Sequence, residues 1–301
     1  MKTILLTGAS GQVGWELQRA LAPLGRVVAP SSAVLNLADT DSIRRVIREV
    51  RPHLIVNSAA YTAVDRAESE PELAMAVNGT APGILAEEAK RIHAGLVHYS
   101  TDYVFDGTKP GPYRETDPTH PMGVYGSTKL AGEEAIRAVG VPHLIFRTSW
   151  VYGVRGRNFV LTILRLANER HELSVVDDQI GTPTWSRLIA QTTALTLSQR
   201  DIEEVSGTYH LSAGGSTSWH GVACAVIEEY RARRESVGWP VLRLQPQNIF
   251  PISTDQYPTT AQRPANSMLD NGKLAKVFGL ALPDWRASLQ MALDDAATIA
   301  L

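Results

Sequence analysis

Cysteine is nearly absent from this chain of 301 residues: Cys224 stands alone, so no internal disulfide can form and a cysteine-rich metal site is excluded. A small, buried, apolar role on a helix is expected for that thiol. Net charge is also scarce. The 29 Lys and Arg nearly cancel the 31 Asp and Glu, leaving a formal charge of -2. That balance supplies no global field for nucleic acid or an anionic membrane. Long apolar runs are missing, and Ile4-Leu5-Leu6 is far too short for a signal-peptide core or a membrane span. The histidines, among them His93, His98, His120 and His143, show no metal-ligand spacing, so no metal is expected. A cytoplasmic globular protein follows, with no nucleic-acid or membrane partner. Its 44% hydrophobic and 20% charged residues are enough for one large domain or two modest ones.

Short apolar runs alternate with helical patterns through the first half. Ile4 to Leu6, Val27 to Ala29, Leu54 to Val56, Leu96 to Tyr99 and Leu144 to Phe146 read as buried strands. Helices are predicted over Gln12 to Leu21, Asp41 to Arg51, Pro71 to Ile92 and Tyr125 to Val139, with Thr40 or Asp41 capping the second. This alternation implies an α/β fold, a Rossmann-type doubly wound parallel sheet whose ligand lies at the C-terminal strand ends. After about Gly153 the rhythm loosens. Helices are predicted over Asn158 to Arg170, Thr184 to Leu197, Ser218 to Arg234 and Pro283 to Ala300. Strand-like pieces lie at Leu173 to Val176, Thr208 to Leu211 and Val241 to Leu244, and a Pro-rich polar segment runs from Gln245 to Pro264. Residues 1–152 are thus expected to bind a dinucleotide. Residues 153–301 are expected to form mainly a smaller α/β substrate-binding lobe, with some segments returning to the first sheet.

The first strand leads into Gly8-Ala9-Ser10-Gly11-Gln12-Val13-Gly14, which opens a helix. Gly8 permits the tight turn, Gly11 admits a pyrophosphate to the backbone, and Gly14 lets the helix pack on the strand. The free N–H groups and positive helix end then hold the anion. The second strand ends Ala29-Pro30-Ser31-Ser32 with no carboxylate to grip a ribose 2′-hydroxyl. A 2′-phosphate meets no repulsion there, which favours NADPH and leaves NADH open.

Tyr125 and Lys129 are four apart on a predicted helix and share a face. The ammonium is expected to lower the tyrosine pKa, and a tuned phenol can donate a proton to a carbonyl as hydride arrives. Thr101, at the end of the fourth strand, can donate a hydrogen bond to the same oxygen. Glycine turn, strand-end Thr and Tyr-Lys pair, in that order, read as one catalytic constellation.

These segments resemble the extended short-chain dehydrogenases. More narrowly, the chain is similar to the dTDP-4-dehydrorhamnose reductases, through Ser100 to Gly107, Tyr125-Gly126 with Lys129 to Glu133, Ala59 to Asp65, Arg147 to Tyr152, Asp178-Gln179-x-Gly181-x-Pro183-Thr184 and Arg263-Pro264-x-Asn266-Ser267. The similarity spans nearly the whole chain. It implies Thr101, Tyr125 and Lys129 as catalytic residues. It implies cofactor contacts at Gly8, Gly11, Gln12, Val13, Gly14, Ser31, Asn36, Leu37, Ala60, Tyr61, Thr62, Tyr99, Tyr125 and Lys129. It also implies a sugar pocket formed by Thr62, Val64, Thr101, Asp102, Tyr103 and Trp150, the last offering a flat apolar face. The implied reaction is reduction of the C4 keto group of dTDP-4-dehydro-β-L-rhamnose to dTDP-L-rhamnose. Some relatives join subunits through magnesium held by glutamates. Here Glu16 matches one ligand position but Arg187 stands at another, which argues against a metal-bridged dimer and leaves a monomer or another homodimer.

Three alternatives share the core pattern. A 4,6-dehydratase needs Asp-Glu after the strand-end Thr, where this chain has Asp102-Tyr103. An epimerase can use the same three residues but consumes no cofactor. A non-catalytic regulatory subunit of this fold would not need Thr101, Tyr125 and Lys129 intact. Oxidation of NADPH by a keto-sugar nucleotide separates these readings.

Overall fold

The computed structural model describes residues 1–297. β1 (Thr3–Thr7) runs into α1 (Gln12–Ala20), β2 (Arg26–Val28) into α2 (Thr40–Val50), and β3 (Leu54–Asn57) into α3 (Val64–Ala67) and α4 (Pro71–Met75). A π-helical turn at Ala76–Thr80 carries α4 on into α5 (Ala81–Arg91), and β4 (Gly95–Thr101) is followed by α6 (Val124–Val139) and β5 (His143–Thr148). Beyond lie β6 (Val151–Tyr152), α7 (Phe159–Glu169), β7 (Leu173–Val176), β8 (Ile180–Gly181), β9 (Thr184–Trp185), α8 (Ser186–Gln199) and β10 (Gly207–His210). β11 (Thr217–Ser218), α9 (Trp219–Val237), β12 (Ile249–Ile252), α10 (Gly272–Phe278) and α11 (Trp285–Ala297) complete the described chain.

The main sheet has the order β10-β5-β4-β3-β1-β2, and every pairing is parallel. Parallel strands are covered on both faces, and strand alternation divides the core accordingly. Leu5, Ile55, Leu96 and Ile145 pack with residues of α2, α5 and α6. Leu6, Val56, Val97, Leu144 and Phe146 face the other way, with Leu17 of α1 and Ile189 of α8. A further cluster, including Tyr152, Ile163, Trp185, Val226 and Leu289, knits α7, α9 and α11 together. The second half therefore has its own core while lending β10 and α8 to the first sheet.

Several local expectations are corrected. The cap of α2 is Asp39, whose carboxylate accepts the N–H groups of Asp41 and Ser42, rather than Thr40 or Asp41. β2 stops at Val28, before Pro30. Thr184–Trp185 is a short strand paired with β6, and the helix begins only at Ser186. Val241 to Leu244 is not a strand. Leu242 and Leu244 are buried, but the Leu244 N–H bonds to the Ala167 carbonyl at the end of α7, so no ladder forms. The strand partner of β7 is instead β12, inside the Pro-rich segment. The helix predicted from Pro283 starts at Trp285, and residues 298–300 of that prediction lie outside the described residues. Among the described residues, no helix is long and apolar enough to cross a membrane.

Candidate active site

The strand order reverses between β1 and β3, and a crevice forms at such a switch point outside the C-terminal strand ends. The glycine turn lies there. Gly8 has φ +69°, and a Cβ on it would come within 2.6 Å of the Ala59 nitrogen beyond β3. A Cβ on Gly14 would sit 2.0 Å from the Gly8 carbonyl, so the turn and α1 close only on glycine. No side chain caps the N-terminus of α1 at Gly11, which leaves its N–H groups for an anion. The Gln12 side-chain oxygen Oε1 accepts from Asn158 Nδ2 at 2.8 Å, fixing the loop before α7 above this helix end. The residues present fit a dinucleotide pyrophosphate.

The remaining expected cofactor positions divide by face. Ser31 and Asn36 are exposed, whereas the Leu37 side chain is in the core, leaving only its backbone for a ligand. Arg45 of α2 donates to the Val34 carbonyl at 3.0 Å and so brings a cation to the loop that starts at Ser31. Sequence spacing hid it, because one helical turn of α2 intervenes. Ala60, Tyr61 and Thr62 follow β3. Asn78, buried in the π-helical turn, accepts the Tyr61 N–H at 2.8 Å and donates to the Tyr61 carbonyl at 3.0 Å. Asn78 also reaches Thr128 of α6, tying that loop to the helix carrying Tyr125. The Tyr61 hydroxyl points away, to Glu70. Tyr99 is split: its phenol donates to, or accepts from, Thr193 in the opposite core, and only its carbonyl faces the site.

Thr101, Tyr125 and Lys129 do come together. The Thr101 hydroxyl donates to Asp102 at 2.9 Å, accepts the Tyr103 N–H at 3.2 Å and lies in hydrogen-bonding contact with Tyr125. Tyr125 is half-buried in the first turn of α6, with the Tyr103 ring edge-on at 5.5 Å. Glu68, just after α3, accepts the Val124 N–H at 2.9 Å and fixes that turn, since Gly123 has no side chain to cap it. Lys129 is buried, and its Nζ donates to the Tyr99 carbonyl at 2.5 Å and lies 3.3 Å from His98 Nε2.

The electrostatics differ from the sequence expectation. Burial pushes Tyr125 up to about 12, and the nearby Asp102 adds to this while Thr101 opposes it. Lys129 does not depress the phenol, because its own burial draws it down to about 8, with Glu133 alone opposing. The phenol therefore carries its proton at neutral pH, the form a proton donor needs. Asp102 is pushed up to about 7 by burial, against hydrogen bonds from Thr101 and Ser267, and its Oδ2 has no partner among the described residues.

The later motifs build the outer wall. Trp150 has φ +46°, an unusual conformation for a non-glycine residue. Its indole packs on Gly181, where a Cβ would intrude to 2.4 Å, and stacks on Trp219 at 3.6 Å. Trp219, to which the sequence assigned no role, is in turn held by Gln179. One face of Trp150 is thus covered. Arg263 binds Asp65 of α3 at 2.8 Å, and Ser267 reaches Asp102. Val64 opens α3 beside this clasp. Elsewhere, Arg187 bonds Glu16 at 3.2 Å and Asp295 at 2.6 Å within the chain. Among the described residues, no cluster of His, Cys, Asp or Glu is arranged to hold a metal.

A parallel sheet with a glycine turn at its switch point, beside a Tyr and Lys on one helix, defines a dinucleotide-dependent oxidoreductase of the short-chain dehydrogenase class. A family model described as the RmlD substrate binding domain matches residues 1–298. The dTDP-4-dehydrorhamnose reductase of Burkholderia thailandensis is 48% identical over 297 residues, covering 97% of this chain and 98% of the relative. That of Escherichia coli K12 is 47% identical, covering 98% of both. A Bacillus anthracis dTDP-4-dehydrorhamnose reductase crystallised with NADP superposes with a TM-score of 0.88 at 33% identity, covering 98% of this chain and 99% of that one. The chain belongs to the dTDP-4-dehydrorhamnose reductase family.

Proposed function

We propose that the protein uses NADPH to reduce the C4 keto group of dTDP-4-dehydro-β-L-rhamnose, giving dTDP-L-rhamnose. The observation that carries this reading is the contact of Thr101 with Tyr125 at the end of β4, one helical turn from buried Lys129. NADPH, when bound, supplies the hydride. It would be held by the glycine turn, by Ser31 and the backbone of Asn36 and Leu37, by the Ala60 to Thr62 loop and by Lys129. Tyr125 gives its phenolic proton to the oxygen at C4 as negative charge develops there. Thr101 turns its hydroxyl from Asp102 to the same oxygen and steadies that charge. Asp102, Tyr103, Thr62, Val64 and Trp150 would line the sugar. Residues 1–152 would hold mainly the cofactor and 153–301 mainly the sugar nucleotide.

Arg45 beside the 31–34 loop favours a 2′-phosphate and so NADPH over NADH. Asp102-Tyr103 favours reduction over elimination, since the second residue offers no carboxylate. A Thermus thermophilus UDP-glucose 4-epimerase shares the fold at 20% identity and a TM-score of 0.79, which speaks to architecture alone. A cytoplasmic location fits a chain with one cysteine and a diffusible reductant. The deciding test follows NADPH absorbance with the keto-sugar nucleotide for wild type and Tyr125→Phe. The expected result is rapid decay in wild type and a loss of at least roughly a hundredfold in the variant. No decay in folded wild type, with NADH also tried, would remove the rhamnose assignment.

A further inference from the structure

Thr7, Asn57 and His98 stand opposite one another on the neighbouring strands β1, β3 and β4. They form a polar row on the sheet face otherwise packed with the apolar residues of α2, α5 and α6. All three are buried, Asn57 at 1% and His98 at 0% exposure. Thr7 Oγ1 lies 2.6 Å from Asn57 Oδ1, Asn57 Nδ2 lies 3.0 Å from His98 Nδ1, and His98 Nε2 lies 3.3 Å from Lys129 Nζ. A buried polar row across a sheet centre costs stability unless every group is satisfied, and this one ends on the amine beside Tyr125.

We propose that His98 is the positioning residue for Lys129, a neutral imidazole whose Nε2 accepts one ammonium hydrogen while the Tyr99 carbonyl accepts a second. This rests on the reading of Lys129 as the catalytic lysine. Two of three N–H groups are then spent on the protein, and one remains for the open side of the site. Burial first, then Lys129 and then His143 of β5 hold His98 well below the usual imidazole range, so it stays uncharged. Glu133 one turn along α6, itself paired with Arg147 of β5 and Arg137, is the other ionic group acting on Lys129. Tyr125 is the remaining titratable group on that helix face.

Hydrogen counting gives the row two settings on one set of heavy-atom positions. With Asn57 donating to Nδ1, the ring proton sits on Nε2, and Lys129 must be a neutral amine to receive it. With the Asn57 amide turned over, its oxygen accepts from Nδ1–H, and Nε2 is free to accept from the ammonium. The side-chain tautomer of His98 thus follows the charge on Lys129.

The test is nitrogen NMR of histidine-labelled protein across pH 6 to 10. The expected result is a neutral His98 that changes from the Nδ1–H to the Nε2–H tautomer with the same midpoint as the alkaline limb of kcat/KM. In Lys129→Met that pH dependence disappears. His98→Leu removes the acceptor, destabilises the ammonium and moves the alkaline limb to lower pH, with kcat/KM down roughly tenfold, as for one hydrogen bond to a charged group. His98→Gln, which keeps an acceptor, restores part of both. A His98 that titrates to imidazolium near pH 6, that holds one tautomer throughout, or whose Leu variant leaves the limb in place would overturn the proposal. Failure of the catalytic-lysine reading itself would appear differently, as full activity in Lys129→Met.

Discussion

Asp102 shows how a single buried group records the site's needs. Its folded-state pKa, about 7, stands above that of an exposed aspartate because burial disfavours the charge. Between these values the native protein keeps a proton that the unfolded chain releases. The contribution of Asp102 to stability is therefore full below about pH 4, falls as pH rises to 7, and is level above that. Asp102→Asn keeps the Thr101 hydrogen bond and removes the charge. Its gain in Tm should be small at pH 4, grow through pH 5 and 6, and level off above 7, as calorimetry across that range would show. Arg45 permits a second residue-level prediction. Arg45→Gln should raise KM for NADPH several-fold and leave KM for NADH unchanged, whereas equal effects on both would remove it from the 2′-phosphate site.

At the scale of elements, the catalytic helix is set by its neighbours more than by its own caps. Gly123 offers no side chain to the first turn of α6, and Glu68 at the C-terminal end of α3 supplies the missing acceptor. Glu68→Ala should cost about 1 kcal/mol, as loss of a helix N-cap does. For a chain of this size that lowers Tm by roughly 1.5 to 2 °C. Because Tyr125 sits in that turn, kcat should fall more than KM rises. The paired tryptophans belong to the same scale. Gly181 and Gln179 seat Trp150 against Trp219, so the motif around them serves to shape one apolar wall.

For the molecule as a whole, Arg187 links α1 of the first sheet to α11 of the second core. Glu16 is nearly buried, and removing its partner leaves a charge uncompensated. Arg187→Ala should cost about 2 kcal/mol, less than a fully buried pair because the arginine is partly exposed. Glu16→Gln in the same chain should recover part of that loss. The cation that this cluster needs is supplied from within the chain. Sedimentation should accordingly be the same with and without a chelator, and a dimer that dissociates on chelation would refute that expectation.

Local physics was enough for much of this. The alternation of apolar runs and helical periods fixed β1 to β5 and their helices, because each element's pattern reports which faces it must bury. Gly8 and Gly14 were legible for the same kind of reason: the turn leaves no room for a Cβ at either. So was the Tyr125–Lys129 spacing on one helix face. Asn78, His98, Glu68, Arg45 and Trp219 were not legible, since each acts on a partner at least eleven residues distant in sequence. Nor was the placement of the Tyr99 phenol or the raised Tyr125 pKa. Periodicity says which way a side chain points. Only the packed fold decides what it meets there and how much water remains to solvate its charge.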